Sequence, residues 1–201
     1  MAEQVLEDLK KHGITKQALQ NLIFRSGVGY KNLKWDAQGK KWQGYPLGAT
    51  SGGSGFTYEP SYTDLALDGA TVLVKGLKKK TGEKGTIKLT LAEFTEGRIV
   101  EAMHLTKDST DEKTGYVKYV TKADIDDSDY IDNVAFVGYL TSGLKVIVIM
   151  ENAICTGAME VAPKDNELAT FELAYECTAD ITQSDLDHLP ISIYYEQTQS
   201  I

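Results

Sequence analysis

The sequence predicts a mainly β protein, an antiparallel β-sandwich or barrel with one flanking α-helix and short N-terminal helices. Eight or more segments alternate apolar and polar residues with the period of two that is typical of strands. Most of these segments follow one another through short turns that contain Gly, Asp, Asn or Ser. Such spacing favours hairpin-linked antiparallel strands over a parallel α/β fold.

Residues 1–26 are expected to form a helical N-terminal arm. Residues 3–12 place their apolar side chains on one side of a short helix. A second helix is expected to begin after Thr15, which is a good N-cap residue, and to include residues 22–24. The β-domain then occupies residues 27–201.

The first hairpin of the β-domain is expected around a turn at residues 36–39, with Trp35 and Trp42 facing each other across the strands. Residues 44–55 hold five glycines and are expected to form a mobile loop. A second hairpin is expected from residues 71–80 and 84–94. In it Val72, Leu73 and Val74 form an apolar strand and Thr81, Gly82 and Glu83 form the turn.

A helix is expected to follow the N-cap Thr95 and to extend through Leu105. Residues 107–132 then form an acidic insertion with a short strand near residues 117–120. The strongest strand patterns come last, and a turn at Ser142 and Gly143 joins the first two. These late strands are expected at residues 134–141, 145–153, 168–178 and 191–195.

The composition limits the function classes. The chain has 201 residues and a net charge of -8, so it is not expected to grip nucleic acid through counterion release. It has no run of about 20 apolar residues and no signal-peptide pattern at its N-terminus. Cys155 and Cys177 lie in apolar segments and are expected to be buried free thiols. These features indicate synthesis and assembly in a reducing cytoplasm.

The residue patterns do not favour an enzyme. His12, His104 and His188 lie in different predicted elements and have no metal-ligand spacing. The glycine run at residues 52–55 lacks the Gly-Lys-[Ser/Thr] ending of a phosphate-binding loop. We therefore expect no catalytic residue, no cofactor and no metal.

The acidic run at residues 124–129 only partly matches a calcium loop of the EF-hand type. An EF-hand loop that starts at Asp124 requires Gly at position 129 and Glu at position 135. The sequence has Asp129 and Ala135 there, so a solvated acidic loop is the better interpretation. A calcium- or carbohydrate-binding β-sandwich module remains a less favoured alternative.

Charge is unevenly distributed along the chain. Residues 160–190 contain eight acidic residues and one lysine. Glu172 and Glu176 alternate with apolar residues of a predicted strand and therefore lie on its non-core face. A basic cluster lies elsewhere, and in a ring of identical chains it could pair with the acidic surface of a neighbour. The candidate inter-subunit residues of that cluster are Lys75, Lys78, Lys79 and Lys80.

Several glycine turns and strand patterns resemble those of the tail tube proteins of tailed bacteriophages. The resemblance covers about residues 26–195 and consists of scaffold motifs, not of a catalytic signature. A strand that leads directly into a helix, at residues 89–95, belongs to it. The other matching segments are LGATSGG at 47–53, FTYE at 56–59, LDGA at 67–70 and VKGL at 74–77.

The resemblance implies a structural virion protein whose hexameric rings stack into a tube that conducts DNA, without membrane association. Glu172 and Glu176 would line the lumen, through which DNA passes without specific binding. Tape measure, tail terminator and distal tail proteins would be the partners. A long non-contractile tail is slightly favoured, and the inner tube of a contractile injection or secretion system is the alternative. The candidate inter-ring loop contains Gly48, Ser51, Gly52 and Gly53.

Overall fold

The computed structural model describes residues 15–111, 114–161, 165–166, 168–182 and 186–197. Within this part the protein is mainly β, as predicted, with an eight-stranded antiparallel sheet and a separate two-stranded hairpin. The helix predicted at residues 3–12 lies outside the described residues. The elements are α1 Lys16–Gln20, β1 Ile23–Asp36, β2 Lys41–Pro46, β3 Gly55–Asp64, β4 Lys78–Leu91, α2 Glu96–Met103, β5 Leu105–Asp111, β6 Tyr116–Thr121, β7 Tyr130–Leu140, β8 Lys145–Cys155, β9 Phe171–Cys177 and β10 Ile191–Tyr195.

The large sheet has the strand order β2-β1-β7-β8-β9-β4-β3, and β10 joins it through β8. Strand β8 pairs with two different strands along the same edge. Its residues 146–150 pair with β10, whereas residues 153–155 pair with β9. Strands β2, β3 and β10 are therefore edge strands of the described sheet. The separate hairpin consists of β5 and β6.

The sheet curls so that β1 faces β4 across the main core. A Cβ atom added to Gly29 of β1 would lie only 2.3 Å from Cδ1 of Leu89 in β4. The segment between β2 and β3 bridges the same two strands. The Leu47 amide donates to the Gly29 carbonyl at 2.9 Å, and the Ser51 amide donates to the Thr90 carbonyl at 2.9 Å. This segment nearly closes the curled sheet.

Two apolar clusters lie on opposite faces of β7 and β8. The main core contains Leu89, Leu173 and Tyr175, each with no exposed surface. The second cluster lies on the outer face, where Tyr30 and Trp42 pack over it. The period of two along β7 and β8 explains both clusters, because alternate side chains point to opposite faces. The buried residues of the second cluster are Leu33, Ala135, Val137, Ile147 and Ile149.

A hydrogen-bonded network centred on Glu101 holds α2 against β1, β9 and the segment that bridges β1 and β4. Lys31 Nζ lies 3.0 Å and Arg98 Nη1 2.9 Å from Glu101 Oε2, and the buried Tyr175 hydroxyl donates to Oε1. Arg98 Nε also donates to the Leu47 carbonyl at 2.9 Å. Burial raises the pKa of Tyr175, so its phenol remains a neutral donor.

Several predictions from the sequence are confirmed. Trp35 and Trp42 are paired across β1 and β2 with ring centroids 5.4 Å apart. Helix α2 begins after Thr95, and β10 has the predicted bounds. The Thr15 hydroxyl caps α1 by accepting a hydrogen bond from the Ala18 amide. Cys155 and Cys177 are buried free thiols.

The predicted hairpin at residues 71–94 is wrong. Residues 81–83 do not turn, because β4 runs continuously from Lys78 to Leu91 and pairs with β3. A register shift opposite Ser61 and Tyr62 accommodates Thr81, so the Thr-Gly-Glu sequence marks a β-bulge. The apolar residues 72–74 form no strand and belong to the loop between β3 and β4.

Two predicted helices are too long. Helix α1 ends at Gln20, and β1 begins at Ile23, so residues 22–24 are not helical. Helix α2 ends at Met103 because His104 adopts a left-handed conformation with φ 48°, and Leu105 begins β5. The left-handed residue reverses the chain at the point where the helical pattern of the sequence continues.

Replacing Glu101 with Gln is expected to destabilise the fold by roughly 2 kcal/mol, because the half-buried Lys31 and Arg98 would lose their charged hydrogen-bond acceptor. Urea unfolding monitored by circular dichroism would measure the loss. Glu160→Gln, which changes an exposed carboxylate, is the control. Equal stability of the two variants would contradict the importance of the network.

Candidate functional site

The most prominent surface feature is a two-stranded ribbon that extends past the rest of the sheet. Within β4, only residues 86–91 pair with β9. Residues 59–64 of β3 and 78–84 of β4 therefore pair only with each other in the described part of the chain. We call these two segments the ribbon and residues 65–77 the tip loop. Most ribbon residues are exposed on both faces.

The tip loop exposes aliphatic side chains and is nevertheless locally ordered. The Leu65 amide donates to the Leu77 carbonyl at 3.0 Å, and the Ala70 amide donates to the Leu67 carbonyl at 3.1 Å. Val72 and Leu73 are 76% and 75% exposed. Exposed apolar residues are ordinary when they are scattered, whereas here five of them lie within one loop of 13 residues. The other exposed members are Leu65, Leu67 and Val74.

The candidate lumen residues Glu172 and Glu176 lie on the non-core face of β9, where lysines from β4 accompany them. Lys88 Nζ is 2.7 Å from Glu172 Oε2, and Lys84 Nζ is 2.7 Å from Glu176 Oε1. The Lys84 hydrogen bond holds the pKa of Glu176 below its ordinary value. This face is therefore a ladder of opposite charges and not a purely acidic surface.

The candidate inter-subunit lysines divide into two groups. Lys78 Nζ lies 2.6 Å from Asp64, and Lys80 pairs with Glu83, so both have partners within the chain. Lys75 and Lys79 are exposed and lie within ion-pair distance of no described carboxylate. The complementarity that the sequence suggested between chains is thus partly satisfied inside one chain.

The candidate inter-ring loop is shorter than predicted and is anchored to the sheet. Strand β2 extends to Pro46, so only residues 47–54 connect β2 to β3. Ser51 donates its amide to Thr90, whereas Gly48 lies against Glu93. Gly52 and Gly53 both adopt φ +70°, which favours glycine, and both are exposed. The mobility predicted for this loop remains a prediction.

Two carboxylates of the acidic run at residues 124–129 contact the ammonium group of Lys122. Lys122 Nζ lies 3.1 Å from Asp126 Oδ2 and 3.0 Å from both carboxylate oxygens of Asp129. Asp126 also caps a short 3-10 turn by accepting the Ser128 amide. Hydrogen bonds from the Ser128 hydroxyl, then from Lys122, lower the pKa of Asp126 to about 2. The ammonium group thus takes the position between carboxylates that a bound cation would need.

The His, Cys, Asp and Glu side chains of the described residues form no group of three that could hold a metal ion. Burial raises the pKa of Cys155 to about 11 and that of Cys177 to about 12, so neither thiol is a ready nucleophile. His104 lies 2.7 Å from the Cys155 carbonyl and 3.4 Å from Asp129, so it links α2 to its neighbours.

Two concave regions occur beside the sheet. A polar cavity of about 410 Å³ lies between α2, β1 and the acidic run, and Lys31, Glu101 and Lys122 line it. Those three residues are already paired within the Glu101 network and the Lys122 cluster, and Asp132, which also lines the cavity, pairs with Lys34. In the described part of the chain, no helix has the length and hydropathy needed to cross a membrane.

The second concave region is an aromatic groove that the sequence analysis missed. It measures about 1260 Å³ and lies on the outer face of β1, β7 and β8. Trp42 contacts both Trp35 and Tyr194, with ring centroids 5.4 Å and 4.9 Å apart. The sequence predicted the contact between Trp35 and Trp42. It did not predict the contact with Tyr194, which arises because β10 pairs with β8.

Comparison with protein-family models finds no matching family, and a search of curated proteins finds no match either.

Calcium is expected not to stabilise the protein, because Lys122 occupies the space between Asp126 and Asp129. Thermal melts in millimolar calcium and in chelator should give the same midpoint. The variant Lys122→Met should raise the pKa of Asp126 from about 2 towards 3.8, as measured by carboxyl NMR titration. A calcium-dependent rise in the wild-type melting temperature would contradict this assignment.

The pair of Lys84 and Glu176 is expected to contribute about 0.5 kcal/mol at pH 7, as cross-strand surface pairs do. Because the folded-state pKa of Glu176 is lowered, this contribution is complete above pH 4.5 and disappears as the pH falls through the lower, folded value. A double-mutant cycle with Lys84→Ala and Glu176→Ala, measured at pH 7 and at pH 2.5, tests it. A coupling energy independent of pH would refute the assignment.

Proposed function

We propose that this protein is a structural subunit that self-assembles, and that its assembly is the tail tube of a tailed bacteriophage. The observation that carries the proposal is the projecting ribbon with its aliphatic tip loop. Burying a side chain such as Val72 or Leu73 stabilises a contact by about 1.5–3 kcal/mol, and the described part of the same chain leaves both exposed. A neighbouring copy would supply the missing contact.

The edges of the sheet support the same proposal. Strands β2, β3 and β10 each have an edge without a partner in the described sheet. Unpaired edges of this kind promote association between chains unless they are covered. In a closed ring of identical sandwich-like subunits, each edge would meet a neighbour, which removes the exposed backbone groups. The tube would carry no catalytic activity and would belong to the virion.

The ion pairs along β9 make the proposed lumen less acidic than the sequence alone suggested. If β9 faces the passing DNA, Glu172 and Glu176 present carboxylates whose charge Lys88 and Lys84 partly neutralise. A mixed polar surface of this kind offers no continuous positive track for phosphates, so DNA would slide without strong binding. The acidic net charge of the whole chain favours the same behaviour.

The inner tube of a contractile injection or secretion system is the second candidate. The ribbon and the free edges support it equally, because both kinds of tube require stacked rings. A calcium-binding module is less favoured, since Lys122 already bridges Asp126 and Asp129. The long non-contractile tail is slightly favoured over the inner tube of a contractile system.

Purified protein is expected to form rings or tubes that are visible in negative-stain images at high concentration. Replacing residues 66–76 by Asn-Gly should leave a folded protein that no longer forms tubes, because Leu65 and Leu77 already close the loop. The control replaces Tyr116 and Val117, exposed apolar residues of the separate hairpin, with Ser. A wild-type protein that stays monomeric under all conditions would overturn the proposal.

A further inference from the structure

The tip loop and the aromatic groove are two unfilled surfaces of the same chain. The tip loop offers Val72 and Leu73, which are about three-quarters exposed and therefore do not fill the groove of their own chain. The groove offers aromatic walls, with Trp35 51% and Tyr194 46% exposed. Aliphatic side chains pack well against aromatic rings, and both surfaces would lose contact with water.

Unpaired charges of opposite sign lie on the two surfaces, and they stand beside Lys75 on the loop and beside Glu151 and Glu196 in the groove. Lys40 and Lys41 line the groove where β2 begins, and neither forms an ion pair with a described carboxylate. Asp68 lies at the turn of the tip loop and likewise has no ion-pair partner among the described residues. A carboxylate at the end of an aliphatic loop matches a groove with lysines at its rim.

The strand order determines what kind of contact this would be. The groove lies on β1, β2, β7, β8 and β10, whereas the tip loop follows β3 at the other end of the strand order. The two surfaces are different parts of the chain, so a contact between them is heterologous. A heterologous contact leaves one free loop and one free groove on every pair, and it therefore propagates through rings or filaments.

On these grounds we infer that the tip loop of one subunit seats in the aromatic groove of another copy, against the exposed faces of Trp35 and Tyr194, with Asp68 against Lys40 and Lys41. The inference rests on the proposed function and identifies the surfaces that the assembly uses. The loop is preorganised by its own backbone hydrogen bonds, so docking orders few additional residues.

Cross-linking tests the contact directly. Val72→Cys in the loop and Gln43→Cys in the groove would be combined and treated with a short bis-maleimide under assembly conditions. The native thiols are buried and stay unreactive. We expect a ladder of dimers, trimers and larger species on denaturing gels. The matched control, Val72→Cys with Tyr116→Cys on the separate hairpin, should give no ladder.

Charge reversal gives an independent measurement. Asp68→Lys, and separately Lys40→Glu with Lys41→Glu, should each weaken association at least ~10-fold in sedimentation experiments. Combining them should restore most of the loss, because the pairs are re-formed with opposite signs. Circular dichroism melts would verify that all variants fold.

The outcomes separate the inference from the proposed function. A ladder together with restoration in the combined variant supports the docking. Tubes that form without a ladder, or cross-linking that stops at a dimer, overturn the docking and leave the tube function intact. Absence of tubes and rings from the wild-type protein overturns the proposed function and this inference with it.

Discussion

The carboxylate of Glu101 joins three parts of the molecule that are distant in sequence. It accepts hydrogen bonds from Lys31 of β1, from Arg98 of α2 and from the fully buried Tyr175 of β9. Arg98 in turn holds the segment that closes the curled sheet, through the Leu47 carbonyl. A buried carboxylate is tolerated only when such donors surround it, so the network fixes where α2 sits. The sheet, the helix and the closing segment therefore depend on one ionic centre.

Two other parts of the sheet have surfaces that no described residue of the same chain covers. The main core takes up the apolar side chains of β4 and β9, but most side chains of the ribbon are exposed in the described chain. The outer face of β1, β7 and β8 similarly buries its aliphatic residues but leaves aromatic rings in contact with water. A rigid body with two exposed, complementary surfaces is well suited to repeated association, because assembly then requires little conformational change.

Local patterns in the sequence were sufficient for elements whose partners are near in the chain. The turn at residues 36–39 and the Trp35–Trp42 pair follow from turn chemistry and cross-strand packing alone. Glu172 and Glu176 could be assigned to one face of β9 from alternation. The lysines opposite them could not, because the pairing of β4 with β9 depends on the fold of the whole sheet.

The wrong predictions have a common physical origin. Residues 72–74 have the composition of a strand but lie between Gly69 and Gly76, which both adopt positive φ and turn the chain away from β3. Residues 81–83 have the composition of a turn but are held in β4 by pairing with β3. The aromatic groove and the Lys122 cluster also escaped detection, since each joins elements that only tertiary structure brings together.

In the proposed assembly, other copies of this chain cover the surfaces that one copy leaves exposed. Hydrogen–deuterium exchange, compared between dilute protein and protein concentrated for assembly, measures this protection. We expect amides of the tip loop and of β2 to become protected only at high concentration, while those of β7 and β8 are unchanged. Identical exchange of the tip loop and β2 in both samples, with tubes present in the concentrated one, would contradict this expectation.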